Sequence, residues 1–380
     1  VLRRLTVYGP AAEKSKTMLR YLFLFLLSIH GLIHLLGFVK AFQINEVEQL
    51  TQPISRPVGL LWLATTLLFL VTAGLYLSGN GFWSVLAFLS IVLSQILIFM
   101  TWQDAKFGTI ANVIILLVAV AGYGSWSFEK QFRADVEEGL ERTTPIETEQ
   151  ITEEDLEPLP APVQRYLRYA GAVGKPKVEN VKITFNGRMR DKGQDWFEFT
   201  AEQYNFFDEK PERLFFMRAK VKGLPAAGYH AYQDGQAEMK VKLLSLFPVV
   251  DIQGEEMFQA ETVTLFNDMC LMAPSTLIDE RIQWQAIDDT SARAIFTNRG
   301  VSISATLYFN EEGQLVDFVS DDRYAVSDMK KYRFSTPVSN YKDFNGYRLL
   351  SSSEAVWHYP DGKFAYGEID LQSVEYNLLK

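Results

Sequence analysis

A single cysteine, Cys270, in 380 residues leaves no partner for an internal disulfide and no thiolate set for zinc. Histidine is almost as scarce. His30 and His34 lie in an apolar run, and only His230 and His358 fall outside it. No Gly-x-Ser-x-Gly elbow occurs, and Gly171-Ala172-Val173-Gly174-Lys175-Pro176 lacks both the spacing and the Ser/Thr of a phosphate loop. These absences argue against a hydrolase triad or a zinc enzyme, and they leave carboxylate-only catalysis without a motif of its own.

Charge is missing from four stretches, roughly Tyr21–Val39, Val58–Leu77, Phe82–Trp102 and Phe107–Trp126. Each approaches the ~20 residues a helix needs to cross a ~30 Å hydrocarbon core. Short links such as Ser78-Gly79-Asn80-Gly81 make neighbours in sequence neighbours in space, so an up-and-down four-helix membrane bundle is expected over residues 21–127, after a tail at 1–20. Trp62, Trp83, Trp102 and Trp126 lie near span ends, where indoles settle at the headgroup level. The first run is too long for a signal peptide and lacks its cleavage site, so it reads as a retained helix.

Up to Ser127 there are eight Lys/Arg against four Asp/Glu, and beyond it 29 against 42. An acidic soluble part repels phosphate backbones and anionic headgroups, which argues against nucleic-acid binding and against electrostatic docking on a bilayer. Arg3, Arg4, Lys14, Lys16, Arg20, Lys130 and Arg133 flank the spans on one side, and Lys40, Arg56 and Lys106 on the other. Seven against three favours both termini in the cytoplasm. Counted from Met18, a second candidate start, the balance is three against three, and the side of the soluble part is then undetermined.

Residues 128–160 form an acidic Glu/Thr/Pro linker, and Val163, Tyr166, Leu167 and Ala170, ending at Gly171, predict a short amphipathic helix. Beyond Lys177 the period changes to two. Alternating runs at 178–190, 194–207, 213–222, 226–233 and 236–243 are strands, and Asp234-Gly235, Arg299-Gly300, Glu312-Gly313, Asn345-Gly346 and Asp361-Gly362 are hairpin turns between such runs. About ten strands in meander order are expected over 161–380, with one helix near Glu261–Ala273. The predicted fold is therefore a membrane helical bundle followed by an α+β domain, whose mostly antiparallel sheet is strongly curved into a half-barrel or open barrel with one or two helices.

Four constellations are candidates for chemistry. His30 and His34 share one face of the first span, where a polar residue is costly; metal or haem ligation, a quinone contact or a proton relay competes there with hydrogen bonding to groups such as Gln95 and Asn112. Glu261 and Asp268 lie seven residues apart on one stripe of a helix, roughly 10 Å along its axis. Both could reach a ligand lying along the helix, but a solvated polar face explains the same residues and is the expected reading. Asp322 and Arg323 end a strand, with Arg188 and Arg190 as ion-pair partners for Asp322 if they share its face. Trp196, Trp284 and Trp357, assigned to three strands, suit either a core or the walls of an acyl-chain site.

The run Leu159-Pro160-Ala161-Pro162-Val163-Gln164-Arg165-Tyr166-Leu167-Arg168-Tyr169-Ala170-Gly171, with Gly187-Arg188-Met189-Arg190, Trp196, Ala201-Glu202-Gln203, Trp284, Asp322-Arg323, Gly346, Arg348, Trp357 and Tyr376, resembles a bacterial domain-of-unknown-function family, number 6544, over about 155–380. That resemblance implies a membrane segment ahead of the domain, brings no reaction, and marks Asp268 and the Asp322-Arg323 pair as candidate site residues. The strand pattern is also similar to lipoprotein carriers, whose curved sheets hold acyl chains. On Ser28-Ile29-His30-Gly31-Leu32-Ile33-His34-Leu35-Leu36-Gly37-Phe38 alone, the apolar quarter is similar to small four-helix membrane proteins associated with redox partners.

The expectation is a non-enzymatic, membrane-anchored module that binds a lipid or other apolar molecule, with Arg188, Glu261, Asp268, Asp322, Arg323 and Trp357 as its site. A redox, metal or quinone component built on His30 and His34, or a domain that docks a membrane-protein partner, is the alternative. No particular cofactor or metal is implied.

Overall fold

A computed structural model describes residues 10–143 and 149–380, with side chains from Thr17 onward in the first helix. Arg3 and Arg4, and with them half the predicted tail, lie outside the described residues, as do the side chains of Lys14 and Lys16. The chain divides into two compact units, 1–130 with 244–246, and 131–243 with 247–380.

The first unit is built from α1 (Pro10–Ala41), α2 (Arg56–Ser78), α3 (Trp83–Met100), the single turn α4 (Trp102–Ala105) and the first part of α5 (Gly108–Arg142). Four of these helices are long and apolar enough to cross a membrane. Helix α2 starts with proline in its first turn and stops at Gly79 in the left-handed region, whose amide bonds back to Tyr76. Small residues let α1 and α2 approach. A Cβ at Gly37 would stand 2.1 Å from the Trp62 ring, and one at Gly59 2.3 Å from Ala41 Cβ. Trp62 and Trp83 are buried against neighbouring helices, whereas Trp102 is exposed.

The second unit holds the end of α5, α6 (Ala161–Ala170), α7 (Glu255–Met272) and sixteen strands. These are β1 (Asn180–Met189), β2 (Phe197–Phe206), β3 (Glu212–Val221), β4 (Leu224–Gln233), β5 (Gln236–Leu243), β6 (Phe247–Gln253), β7 (Ile282–Asp288), β8 (Ser291–Asn298) and β9 (Val301–Phe309). They continue as β10 (Leu315–Ser320), β11 (Tyr324–Ala325), β12 (Lys330–Lys331), β13 (Arg333–Ser335), β14 (Val338–Phe344), β15 (Tyr347–Tyr359) and β16 (Gly362–Tyr376). Fourteen form one antiparallel sheet ordered β6-β5-β4-β3-β2-β1-β16-β15-β13-β10-β9-β8-β7, with β14 beside β15, and β11 and β12 form a separate hairpin. The expected meander is thus two meanders, joined where the first and last strands pair. Local turn signals carry no information about that pairing.

The sheet is open in its hydrogen bonding and strongly curved. Helix α7 packs against β5 and β6 and also against β9 and β10. Between β5 and β9 there are nine strand steps. A flat sheet would hold those strands roughly 43 Å apart at ~4.8 Å per step, far more than the ~10–12 Å width of one helix. The strands therefore wrap around α7. Two side-chain clasps link distant strands: Asn298 of β8 donates to Tyr232 Oη of β4 at 2.6 Å, and Arg281, just before β7, donates to the carbonyls of Phe207 and Asp208 after β2 at 2.8 and 3.0 Å.

Strands β2–β4 are covered on both faces, which is why their buried positions run together instead of alternating. On one face the end of α5 lays Phe132 against Phe216 and Tyr229, with Arg133 forked onto Glu202 at 2.7 Å and Asp135 accepting from Tyr229 Oη at 2.6 Å. Gly139 lets this helix sit close, since a Cβ there would stand 2.4 Å from the Phe206 ring. The opposite face meets α7. The last carbonyls of α7, which have no helical partner, accept from Tyr166 Oη at Cys270 and from Tyr376 Oη at Met272.

Candidate functional site

Along β2 and β3 the side chains on the α7 face include Gln203, Asn205 and Arg213, because Asn205 pairs with Arg213 and Gln203 with Phe215. The next strand adds His230 and Tyr232, opposite Phe215 and Arg213. A polar set on an inward face would be unfavourable without partners, and α7 supplies them. Arg213 donates Nε to Asp268 Oδ2 at 2.7 Å, Nη1 to Glu261 Oε2 at 3.0 Å and Nη2 to Gln203 Oε1 at 3.0 Å. Asp268 Oδ2 also accepts from Gln203 at 2.7 Å and from Asn205 at 3.2 Å. His230 Nδ1 stands 3.8 Å from the other oxygen of Glu261.

Arg213, Glu261 and Asp268 are all buried. Burial opposes ionisation of Glu261, but the charges of Arg213, His230 and Arg323 outweigh it and hold its carboxyl down at about 2. At Asp268 burial dominates and pushes the carboxyl up against the pull of Arg213. The two acids thus sit on one guanidinium in unlike surroundings. Chemically the arrangement is a charge-assisted clamp between α7 and β2–β3. The solvated polar face expected for Glu261 and Asp268 is corrected: both point into the sheet, and the group lying along their helix stripe is Arg213. Sequence reading missed Arg213, Gln203, Asn205 and His230. The signal was there, as polar residues two apart in β2 with charged or imidazole partners on the next two strands.

Of the remaining predicted residues only Arg323 acts on this cluster, through its charge on Glu261, and none hydrogen-bonds to it. Arg188 is exposed and forks onto Glu368 across β1 and β16 at 2.6 and 2.8 Å. Asp322 pairs with neither Arg188 nor Arg190. Its Oδ2 instead accepts from the amide and hydroxyl of Ser304 at 2.7 and 3.0 Å, because the turn after β10 returns it over β9. Arg323 lies 4.1 Å from the Phe334 ring centre and 5.1 Å from that of Trp357, and donates Nη1 to Tyr366 Oη at 2.8 Å. Its Nε is buried without a hydrogen-bond partner. Trp357 belongs to this aromatic group, stacked on Tyr366. Trp196 precedes β2 rather than lying in it, with Arg190 over its ring at 4.2 Å.

In the helical unit His34 Nδ1 donates to the carbonyl of His30 at 2.8 Å, which leaves Nε2 to accept from Ser94 Oγ at 2.9 Å. His30 Nε2 donates to Asn112 Oδ1 at 2.9 Å, and Asn112 Nδ2 donates to Gln95 at 3.0 Å. The pair is held by hydrogen bonds to α3 and α5. Among the described residues, no three His, Cys, Asp or Glu side chains come together as a metal site.

Residues 149–369 match the sequence profile of the family of unknown function DUF6544, and the chain belongs to that family. No curated protein matches it. Among solved structures it is similar to a LolA superfamily protein from Nitrosomonas europaea, at 11% identity and a TM-score of 0.34, over 57% of this chain and 94% of that one. It is also similar to a domain described as an outer membrane lipoprotein-sorting protein from Vibrio parahaemolyticus, at 9% identity and a TM-score of 0.31, over 52% of this chain and 85% of that one. Likeness this low says nothing of what this chain binds.

Proposed function

We propose that this family member is a membrane-anchored binding module whose wrapped sheet holds a lipid or other apolar molecule alongside α7. The observation that carries the reading is the composition of the core inside the wrap. Met217 of β3, Met239 of β5 and Met257, Met269 and Met272 of α7 belong to one buried core, with Met189 packed against it. Methionine is unbranched and polarizable, so a wall built of it repacks around a guest at little cost. The Arg213 clamp places one polar group beside that core. Four helices suited to crossing a membrane supply the tether, which keeps such a module beside a source of acyl chains.

Photo-crosslinking of the full-length chain in nanodiscs tests this. A phospholipid with a diazirine on its acyl chain is expected to label peptides containing α7, β3 and β5 as well as the apolar helices. Labelling confined to the apolar helices would end the proposal.

A further inference from the structure

Two arginines of the second unit present the same edge of the guanidinium to a carboxylate. Arg188 gives Nε and Nη2 to the two oxygens of Glu368 at 2.6 and 2.8 Å, and Arg333 gives Nε and Nη2 to those of Asp321 at 2.9 and 3.0 Å. Two parallel N–H groups on that edge match two oxygens of one anion. Arg323 departs from the pattern. It donates Nη1 to Tyr366 Oη at 2.8 Å, its Nε is buried without a partner, and among the described residues nothing accepts from its Nη2 and no carboxylate forms an ion pair with it. The edge that Arg188 and Arg333 use is open here.

This guanidinium is held in place by its surroundings. Phe334 and Trp357 stand opposite each other on β13 and β15, with the guanidinium carbon 4.1 and 5.1 Å from their ring centres, and Tyr366 stacks on Trp357. The rings take its face and Tyr366 takes Nη1, so the Nε–Nη2 edge is what remains for an acceptor. The acids next to Arg323 in sequence are engaged elsewhere: Asp321 with Arg333, Asp322 with Ser304 at 2.7 Å, and Asp328 with Tyr332 Oη at 2.7 Å. Glu261 feels the charge of Arg323, but its ion pair is with Arg213 at 3.0 Å. Gln259 of α7 donates to the carbonyl of Asp322 at 2.8 Å, which sets the arginine beside that helix. A partly buried cation with an unfilled edge is unfavourable until an anion completes it.

We infer that the Nε–Nη2 edge of Arg323 binds the oxyanion head of an amphiphile, a carboxylate or a phosphate, whose apolar chain lies alongside α7. The place of the chain rests on the proposed function, and the charge of the head rests on Arg323. A planar guanidinium fork suits either oxyanion, because both offer two oxygens at matching spacing. A neutral guest would leave the edge unfilled.

The full-length chain in a neutral maltoside is irradiated with two probes of equal length, a fatty acid and the matching fatty alcohol, each with a diazirine near its polar end. Peptides of α7, β11–β13 and β15–β16 are expected to be labelled by the acid about ten-fold or more above the alcohol. Arg323→Gln is expected to bring acid labelling down to the level of the alcohol, with alcohol labelling unchanged as the sign that the variant folds. Should it not fold, Arg323→Lys, which keeps the charge and loses the fork, takes its place with a loss in the same direction. Unlabelled dodecyl phosphate is expected to displace the acid probe, and inorganic phosphate alone is not. Displacement by inorganic phosphate as well would overturn the amphiphile and leave a free anion as the ligand. Equal labelling by acid and alcohol, unchanged in the variant, overturns the inference and leaves the apolar guest standing. No labelling of these elements by either probe refutes the apolar guest itself, and the inference falls with it.

Discussion

Tyr232 and Asn298 lie nine strand steps apart in the sheet, yet Asn298 Nδ2 donates to Tyr232 Oη at 2.6 Å. The same hydroxyl donates to Thr262 on α7 at 2.9 Å, and Thr262 donates to the Phe258 carbonyl. One phenol therefore joins two distant strands and the helix they wrap.

Removing that hydroxyl with Tyr232→Phe leaves the buried Asn298 amide without its acceptor. A loss of about 1–3 kcal/mol is expected. Asn298→Ala, which removes the orphaned group as well, is expected to cost less than one that leaves it stranded. Thermal unfolding in mild detergent, followed by tryptophan fluorescence, compares them, and equal unfolding temperatures for wild type and Tyr232→Phe would show that the clasp contributes nothing.

At the Arg213 clamp, Arg213→Met strands two buried carboxylates and is expected to destabilise by about 3–5 kcal/mol. Arg213→Lys is not expected to restore stability, because a point ammonium lacks the planar fork that serves Asp268, Glu261 and Gln203 at once. Denaturant titration of the three proteins measures both differences.

The same clamp gives a pH dependence. Glu261 is held below its ordinary value, so its contribution is fully present above the carboxyl's unfolded value and is lost as pH falls toward about 2. Glu261→Gln is therefore expected to flatten the loss of stability between about pH 4.5 and pH 2. Unchanged acid unfolding in this variant would remove Glu261 from the account.

Asp317 on β10 has the opposite sign. Burial pushes its carboxyl up to about 6, and its Oδ1 is buried without a partner. The protonated form suits the fold, so stability from this group is present below its unfolded value and is lost as pH rises through about 6. Asp317→Asn is expected to raise stability at pH 7–8 by about 1 kcal/mol after allowing for solvent screening, and to change little below about pH 4. Melting temperatures across that range decide it.

In the helical unit, Ser94 is the hydroxyl that His34 leans on. Ser94→Ala is expected to cost about 0.6–1.7 kcal/mol in mixed micelles. Thr72→Ala is expected to cost less, since that hydroxyl meets only Ser90 and its own helix. Equal losses would deny the histidine network a special part in the bundle.

Much of the architecture was legible because it is local. Apolar run length marks helices able to cross a bilayer, and Asn-Gly or Asp-Gly between alternating runs marks hairpins. Gly171 closing α6 was readable for the same reason, since a left-handed residue is needed there. The candidate site was half legible: Glu261 and Asp268 were found, but their partners were not. Sequence alone gives a side chain's periodicity and leaves open which face of a strand is turned inward. On β2–β4 the helix behind the sheet covers one set of alternating positions, Glu202, Phe216 and Tyr229 among them, and α7 covers the other, with Gln203, Asn205 and Arg213, so burial does not mark the inward face.

The amino-acid order by itself determined the apolar helices, the acidic balance beyond them, and a meandering antiparallel sheet that had to curve. Tertiary structure alone decided that the first and last strands pair, that the curve closes around α7, and that two acids seven residues apart share one arginine. Those choices depend on contacts between residues tens to hundreds of positions apart. Their free energy comes from burial and mutual hydrogen bonding, which no local pattern encodes.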